Sequence, residues 1–536
     1  MHFDLIIRNG EIFDGSASAP LHADVAIAGE RIAAIGDLRQ ARGAREIDAR
    51  GLAVCPGFID IHGHSDVAAI ADPRCLSKVA QGVTTELCGQ CGASPAPLGG
   101  EVGEEVRRAV SFVVGGEMWA WPSFEEYLSA VEQARPAMNT VHLVGHSPLR
   151  AMTVGLEDRA PTPDELRQMV RVVEESLEAG AAGLSSGLIY PPSMFAQPSE
   201  LVELARACAR RGKIYCTHIR SEAGLLLEAV HEAIAVARAT GVRVEIAHHK
   251  AAGRSNWGRV RETVRAMEAA EGEGLAVAFD VYPYTAGSTS LMSLLPPFAR
   301  EGGPQRALER LADESWRERI RREIERGCPS WPGSLSIPEL GFDRVLIAQV
   351  EGEDELGATG KTLEQVAQEL GLSPIDALFE LLLRHQGGVA QITFSMCEED
   401  VEFLLAHRLS AICSDAAARA PDGPLSSGKP HPRAYGAFVR VLGRYVRERK
   451  VLELPQAIAK MTGEPARRIG LAQRGLLREG YFADLALFRP ETVADQATYE
   501  EPHQLPRGME YVIVNGQVVF EQGRYTGARP GRVLRV

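Results

Sequence analysis

Short apolar runs alternate with longer Ala-, Leu-, Arg- and Glu-rich segments through the middle of this chain. Strand–helix alternation of this kind is typical of a parallel sheet. Eight such units with no spare edge strand favour a closed (β/α)8 TIM-like barrel over an open sheet. The predicted strands are residues 57–64, 82–91, 139–145, 181–187, 213–218, 243–249, 276–282 and 409–415.

The two ends of the chain carry a different pattern, in which short strands are separated by tight turns. Asn9-Gly10 follows one apolar run near the start, and Asn515-Gly516 separates two runs near the end. Asn-Gly is a strong signal for a two-residue hairpin turn. We therefore predict that residues 1–55 and 470–536 together form a small β-sandwich domain, and that residues 56–469 form the barrel.

The stretch between the seventh and eighth predicted strands is too long for a single crossover. Residues 288–345 contain two Pro-rich patches around a charged segment, 304–326, that is predicted to be helical. We interpret 288–345 as an insertion near the barrel mouth, where it would act as a lid.

Composition narrows the classes of function. Of the 536 residues, 45% are hydrophobic and 24% charged, which is typical of a globular protein. A net charge of −13 argues against a general nucleic-acid binder, and no apolar run approaches the ~20 residues of a membrane helix. The start, Met1-His2-Phe3-Asp4, lacks the basic residues and long apolar core of a secretory signal. We expect a cytoplasmic protein with neither nucleic-acid nor membrane partners, whose nine cysteines are reduced.

The strongest chemical signal lies at the end of the first predicted strand. His62 and His64 are alternate residues there and are followed by Asp66. Alternate residues of a strand project to the same side, and barrel active sites lie at the carboxyl ends of the strands. Imidazole is a common ligand of zinc and similar ions. The pair therefore predicts a metal site at the barrel mouth.

Ligand-type side chains also end three other predicted strands. His218 ends the fifth, His248 and His249 end the sixth, and Asp415 ends the eighth. Taken singly, each is more simply a core or surface residue. Four strand ends that all carry such side chains are hard to explain as packing, because the strands of a barrel converge on one mouth. Together they predict one metal centre.

A cysteine pair lies at the end of the second predicted strand. Cys88 and Cys91 have the spacing of a redox pair, and a zinc knuckle would need a second pair that does not follow. Residues three apart on an extended strand face opposite sides, so both sulfurs cannot point into one site without a turn. We interpret Cys91, which is nearer the strand end, as a thiolate ligand and Cys88 as a buried thiol.

One motif points to a different chemistry. Gly183-Leu184-Ser185-Ser186-Gly187 matches the nucleophile elbow of serine hydrolases, but an elbow requires a tight turn into a helix. The Pro-Pro pair at 191–192 does not open such a helix. The sequence also contains no phosphate-binding Gly-rich loop.

Several blocks of the chain resemble the amidohydrolase superfamily and, within it, the N-acyl-D-amino-acid deacylase (D-aminoacylase) family. The resemblance covers nearly the whole chain. The His-X-His block marks the superfamily, and the Gly-X-Cys-Gly and His-Pro-Arg blocks are more specific to the deacylases. These blocks are residues 4–10, 56–66, 82–85, 90–92, 186–192, 247–250, 280–284, 431–436, 474–475 and 480–485.

The resemblance implies a zinc centre in a barrel that carries a β-sandwich. Related hydrolases have a carboxylated lysine on the fourth strand, which this chain lacks, and the family pattern implies that Cys91 takes its bridging role. One tightly bound Zn²⁺ would be held by Cys91, His218 and His248, with His249 as the alternative to His248. A second, weaker site would be formed by His62, His64 and Asp415.

The activity that the resemblance implies is zinc-dependent hydrolysis of N-acyl-D-amino acids to a carboxylate and a free D-amino acid. Asp415 would be the general acid and base. Arg433 would clamp the substrate α-carboxylate, since guanidinium binds carboxylate in a bidentate manner. The family pattern implies further substrate contacts from Tyr282, Lys250 and Ser288.

The chain departs from the family pattern at residues 416–430, where a longer loop follows Asp415. This leaves the acyl and side-chain preference open, and with it an L-Xaa-D-Xaa dipeptidase or another amidase as the alternative. A hydantoinase-like activity on cyclic amides is disfavoured because the fourth-strand lysine is missing. A non-enzymatic scaffold would show gaps among the ligands, and the sequence shows none.

Overall fold

Eight parallel strands form the centre of the molecule in a computed structural model that describes residues 2–98 and 121–536. Neighbouring strands pair in sequence order, and a bridge between Gly63 and Ala416 joins the last strand to the first. The predicted barrel is therefore confirmed. Its strands are Phe58–Asp60, Val83–Cys88, Asn139–His142 continued by Val144–Gly145, Gly183–Gly187, Ile214–His218, Arg243–Ile246, Val277–Val281 and Ser410–Ile412.

Helices connect the barrel strands and cover the outside of the barrel. One of them, Pro163–Glu178, begins at a capping box formed by Thr162 and Glu165. The helices are Ala68–Ala71, Leu76–Val79, Phe124–Ala134, His146–Thr153, Pro163–Glu178, Pro198–Arg210, Leu226–Thr240, Val260–Gly272, Glu398–Ala406, Arg433–Arg440, the π-helix Val441–Glu448, Leu454–Met461 and Gly463–Ile469. Within the described ranges, none of the helices is both long enough and apolar enough to cross a bilayer.

Both ends of the chain contribute to one nine-stranded sheet beside the barrel. Ala53–Pro56 pairs antiparallel with Leu485–Phe488, and this pairing joins the two ends. A cluster of buried residues from both segments, including Ile7 and Ile513, forms the core of this part. The predicted domain boundaries stay a prediction; Met1 and residues 99–120, which fall within the predicted domains, lie outside the described residues. The strands are His2–Ile12, Leu21–Ala28, Arg31–Gly36, Arg42–Asp48, Ala53–Pro56, Leu485–Phe488, Met509–Val514, Gln517–Glu521 and Arg524–Tyr525.

The insertion is larger than the predicted 288–345. Gly287–Ser290 and Val345–Val350 both pair antiparallel with Val389–Thr393, so the unit continues to residue 393. It has its own apolar core, which extends from Leu291 to Val389. The predicted end at residue 345 falls at the start of a strand whose partner lies about 40 residues further on. The helices are Pro297–Arg300, Gly303–Ala312, Glu314–Glu325, Ile337–Leu340, Leu363–Leu370 and Pro374–Arg384. A lid role stays a prediction.

Candidate metal centre

Three imidazoles surround the Cys91 sulfur at the carboxyl ends of the barrel strands. The sulfur lies 3.4 Å from Nε2 of His62, 3.6 Å from Nδ1 of His218 and 3.4 Å from Nε2 of His248. The ligand atoms of Cys91, His218 and His248 all lie within 4.8 Å of one another, and the three side chains are buried. Thiolate and imidazole are the ligands that zinc prefers in proteins, so this donor set fits a zinc ion.

A second group of donors shares residues with the first. Asp415 Oδ1 lies 3.1 Å from Nε2 of His64 and 3.6 Å from Nε2 of His62. His62, His248 and Asp415 have ligand atoms within 4.8 Å of one another, as do His62, His64 and Cys91. The structure thus brings all six predicted ligands together in overlapping sets, which is the arrangement that two neighbouring metal positions require.

Three of these residues have a left-handed backbone conformation that residues other than glycine rarely adopt. Cys91, His248 and Asp415 have φ angles of 55°, 34° and 49°. Such conformations cost about 1–3 kcal/mol each and concentrate at functional sites. The predicted strands ended at 91, 249 and 415, but the second, sixth and eighth strands end three residues earlier. The strands end early because the chain turns into the left-handed region at these residues, whose side chains then meet in the cluster.

The loop that carries Cys91 is held by the motif that resembled a nucleophile elbow. Ser185 Oγ accepts a hydrogen bond of 3.0 Å from the backbone N–H of Gly92 and donates one to the carbonyl of Gly89. A Cβ at Gly89 would lie 2.1 Å from the backbone oxygen of Leu143. Ser185 therefore supports the loop and is fully buried, which does not suit a nucleophile.

The charge of the site favours a thiolate. Burial alone would raise the pKa of the Cys91 thiol, but the positive charges of His62 and His248 and the hydrogen bonds from His218 and His248 outweigh it. Together they hold the pKa of Cys91 well below its usual value. A deprotonated sulfur is the form that binds metal.

Two carboxylates that the sequence did not single out, the partly buried Glu222 and the fully buried Asp280, hold the imidazole rings. Glu222 Oε1 lies 2.9 Å from Nδ1 of His248. Asp280 lies 3.3 Å from Nδ1 of His62 and accepts a 2.7 Å hydrogen bond from the backbone N–H of His248. Carboxylates in this position fix the orientation of metal-binding rings. The only sequence signals were that Glu222 follows His218 by four residues and that Asp280 lies on the seventh strand.

The two adjacent histidines after the sixth strand, His248 and His249, point in different directions. His249 turns away from the cluster, and its Nε2 lies 2.8 Å from Oγ1 of Thr263 on the outer helix Val260–Gly272. Burial lowers the pKa of His249 to about 3, so the ring is neutral. The structure therefore brings His248, and not His249, to Cys91.

Arg433 lies directly against Asp415. Its Nη1 lies 2.6 Å from Asp415 Oδ2, and its Nη2 donates to the backbone carbonyl of Ser288 at 3.3 Å. Ser288 therefore contacts Arg433 through its backbone carbonyl and not through its side chain. Burial would raise the pKa of Asp415, but the charges of Arg433 and His248 and the hydrogen bond from His64 keep the pKa well below its usual value. Asp415 is therefore ionised in the cluster.

The other two predicted substrate residues also line this region. Lys250 Nζ lies 2.5 Å from Glu222 Oε1 and 2.7 Å from Nδ1 of His248, so its charge is already paired. The Arg433 guanidinium lies over the Tyr282 ring at 4.7 Å. The Tyr282 hydroxyl is buried and has no hydrogen-bond partner among residues 2–98 and 121–536. It is therefore a donor available to a bound molecule.

A barrel with thiolate, imidazole and carboxylate donors at its mouth defines the class of metal-dependent barrel hydrolases. The amidohydrolase family model matches residues 45–520. An N-acyl-D-glutamate deacylase of Alcaligenes xylosoxydans xylosoxydans is 38% identical over 99% of this chain and 96% of its own length. The chain belongs to the amidohydrolase family and, within it, to the group of N-acyl-D-amino-acid deacylases.

Solved structures of related proteins agree with this assignment. The N-acyl-D-glutamate deacylase of Bordetella bronchiseptica, in complex with zinc and a phosphonate inhibitor that mimics the tetrahedral intermediate, is 35% identical with a TM-score of 0.85 over 100% of both chains. A D-aminoacylase with a binuclear metal centre, in which one metal activates and the second attenuates, is 36% identical with a TM-score of 0.83 over 100% of both chains. The resemblance inferred from the sequence is confirmed.

Proposed function

We propose that this chain hydrolyses the amide bond of N-acyl-D-amino acids in a zinc-dependent reaction that releases a carboxylate and a free D-amino acid. The observation that carries the proposal is the grouping of Cys91, His218 and His248 next to Asp415 and Arg433. This grouping combines a zinc donor set, a carboxylate that can transfer protons and a cation for the substrate. The activities named for the related proteins support the same reaction.

Cys91, His218 and His248 would hold the tightly bound zinc. His62, His64 and Asp415 would hold the weaker second ion, since Asp415 Oδ1 lies within 3.6 Å of both rings. When bound, zinc lowers the pKa of a water ligand and polarises an amide carbonyl. Glu222 and Asp280 keep the rings of His248 and His62 aimed at the centre.

Asp415 is the proposed general acid and base. Asp415 is ionised beside Arg433 and His64, and the ionised carboxylate is the form that can accept the proton of the attacking water. The same oxygen then delivers this proton to the nitrogen of the departing amino acid. The contacts with Arg433 and His64 hold the carboxylate in one orientation during both transfers.

Arg433 is the proposed partner of the substrate α-carboxylate. Its buried Nε has no hydrogen-bond partner among the described residues, although Nη1 faces Asp415 and Nη2 donates to Ser288. A carboxylate bound at this edge would place the attached nitrogen beside Asp415. The unpartnered hydroxyl of Tyr282 lies in the same region and would donate a second hydrogen bond.

One observation favours an N-acyl substrate over an L-Xaa-D-Xaa dipeptide. The free amino terminus of a dipeptide would need a carboxylate partner. Glu222, the carboxylate beside His218 and His248, is already paired with Lys250. An uncharged acyl group makes no such demand.

The test is amine release from matched N-acetyl-D and N-acetyl-L amino acids and from L-Ala-D-Ala, with zinc measured on the same preparation. We expect release from the N-acetyl-D series with about one zinc per chain. Asp415→Asn should reduce kcat by about 10²–10⁴-fold while the Cys91 site retains its zinc. Zinc-loaded protein that releases no amine from the D series contradicts the proposal, and release from the dipeptide alone identifies a dipeptidase.

A further inference from the structure

Lys78 is a fully buried lysine, with an exposure of 0%, that the proposed reaction does not use. It lies on the short helix Leu76–Val79, which comes between the first two barrel strands in the chain. Its Nζ lies 2.7 Å from Asp60 Oδ2 and 3.2 Å from Glu86 Oε2. Burial alone would lower the pKa of Lys78, but the charges of the two carboxylates outweigh it and hold the pKa above its usual value. Lys78 is therefore a buried cation.

The two remaining acceptors of Lys78 are the residues on either side of Asp415. Lys78 Nζ donates to Ser414 Oγ at 2.7 Å and to the backbone carbonyl of Ala416 at 2.8 Å. Asp60 holds the same segment, because it accepts hydrogen bonds from the backbone N–H of Ser414 at 3.0 Å and from the Ser414 hydroxyl at 2.5 Å. One buried ion pair thus binds both chain neighbours of Asp415.

The backbone of Asp415 needs such support. Its φ of 49° is a left-handed conformation, which persists in a residue other than glycine only where the surrounding structure enforces it. The first barrel strand supplies part of the restraint: the Asp415 N–H donates to the carbonyl of His62 at 2.9 Å, and the His64 N–H donates to the carbonyl of Ala416 at 3.2 Å. The bonds from Lys78 fix the residues before and after the strained one.

Lys78 reaches the metal centre only through this segment. Among the described residues, none of its hydrogen bonds and ion pairs ends on the side chain of a proposed metal ligand. The Asp415 carboxylate, by contrast, must meet Nε2 of His64 at 3.1 Å and Nη1 of Arg433 at 2.6 Å. A misplacement of about 1 Å in a reacting group can lower a rate about 10²-fold. The backbone on which this carboxylate stands is therefore a sensitive part of the site.

We propose that Lys78 is a positioning residue for the general acid and base. It clamps Ser414 and Ala416, so that the carboxylate of Asp415 stays aimed at the attacking water and at the amide nitrogen. This proposal rests on the proposed function, in which Asp415 transfers the proton. Lys78 itself exchanges no proton with the substrate.

The first test is Lys78→Met in the zinc-loaded enzyme, which keeps the length of the side chain and removes the cation. For the N-acetyl-D-amino acid that the wild type hydrolyses fastest, we expect kcat to fall about 10–100-fold. KM should stay within about threefold, because Arg433 still binds the substrate, and the protein should retain about one zinc per chain. A kcat within threefold of the wild type, or a loss of the tightly bound zinc, overturns the proposal.

The second test asks whether Lys78 acts through Asp415. In the Asp415→Asn background, Lys78→Met should change the remaining kcat by less than about twofold, because the group that it positions is already gone. A general loosening of the barrel mouth would lower kcat by the same factor in both backgrounds. That result overturns the proposal.

Ser414→Ala tests the same clamp without removing a buried charge, and it decides the matter if Lys78→Met does not fold. It deletes the hydroxyl that joins Lys78 to Asp60, and kcat should fall about 3–10-fold with KM unchanged. An unchanged kcat in this variant overturns the proposal.

Lys460→Met is the matched control. Lys460 is also buried, and its Nζ donates to Ser410 Oγ at 2.8 Å and to the carbonyl of His407, at the start of the strand Ser410–Ile412. The substitution removes a lysine clamp from the opposite end of the same strand. It should lower the melting temperature and keep kcat within about twofold. An equal loss of kcat in the two lysine variants overturns the specific role of Lys78.

Failure of the proposed function is recognised separately. If the zinc-loaded wild type hydrolyses no N-acetyl-D-amino acid, the deacylase function fails. Crystal structures of the wild type and of Lys78→Met, or of Ser414→Ala if the former does not fold, then decide the role of Lys78. An Asp415 carboxylate that moves away from His64 and Arg433 in the variant supports the clamp, and an unchanged carboxylate overturns it.

Discussion

Cys91 is the residue on which the centre depends, because its sulfur lies 3.4–3.6 Å from the rings of His62, His218 and His248. Cys91→Ser keeps the size of the side chain but replaces a thiolate by a neutral hydroxyl, which is a poor zinc ligand. We expect the zinc content to fall from about one to near zero per chain and activity to fall with it, measured by metal analysis after dialysis. Cys88→Ser is the control, since Cys88 is buried outside the cluster; a zinc content equal to that of the wild type in the Cys91 variant would contradict the assignment.

Glu222 is expected to act on zinc through His248. Burial would raise the pKa of Glu222, but the charges of Lys250, His218 and His248 keep the pKa well below its usual value. Glu222 is therefore an anion. Glu222→Gln retains the shape and removes this charge. We expect zinc affinity to fall about 10–100-fold, measured by competition with a chelator, and added zinc to restore most of the activity.

The exposed Glu228→Gln on the following helix is the control for this variant and should bind zinc like the wild type. Unchanged zinc affinity in Glu222→Gln would show that His248 needs no carboxylate to hold its ring.

The residues that meet at the centre were predictable where the chemistry is carried by residue type and by position at a strand end, as in His62, His64 and His218. Glu222 and Asp280 were not predictable, because acidic residues are common and their value lies in contacts that only the folded loops create. The choice between His248 and His249 depends on a φ of 34° at His248, which the sequence does not reveal.

At the scale of elements, the loop after the second strand determines whether Cys91 reaches the centre. Gly92 has a φ of +72°, and a Cβ there would lie 2.5 Å from the backbone nitrogen of Gly187. Gly92→Ala must therefore move the loop, and we expect both a lower melting temperature and a loss of zinc. Gly241→Ala is the matched control, because Gly241 has a φ of +73° with nothing within 4 Å. It should cost only about 1–2 kcal/mol and retain zinc.

The limits of sequence reasoning also appear in the elements. Most of the barrel strands were found because buried parallel strands are rich in apolar and β-branched residues, although the fourth, Gly183–Gly187, contains only one apolar side chain. The pairing of Val345–Val350 with Val389–Thr393 was not predictable, because two helices, Leu363–Leu370 and Pro374–Arg384, lie between the two strands. Long-range antiparallel pairing leaves no local signal.

At the scale of the whole molecule, the C-terminal tail closes the amino-terminal side of the barrel. Leu534 donates a 2.7 Å backbone hydrogen bond to Thr140, which in turn donates to the carbonyl of Arg532 at 2.9 Å. Deletion of residues 530–536 removes these bonds at the start of the third strand. We expect the melting temperature to fall by about 3–6 °C, measured by calorimetry, while kcat at 25 °C stays within about twofold because the centre lies at the opposite end of the barrel.

The control for this deletion is Arg39→Ala, which removes only an exposed ion pair with Asp37 and should leave the melting temperature nearly unchanged. A large loss of kcat in the deletion variant would show that the two ends of the barrel are coupled.

The pairing of Ala53–Pro56 with Leu485–Phe488 also constrains the order in which the chain can fold during its synthesis. The first of these strands leaves the ribosome more than 400 residues before its partner. At 5–20 residues per second this is an interval of roughly 20–90 s. During that time the edge of the early strands is open to pairing with other chains. The amino-terminal strands can therefore complete their sheet only when synthesis is nearly finished. We expect the nascent chain to bind chaperones that cover exposed strand edges.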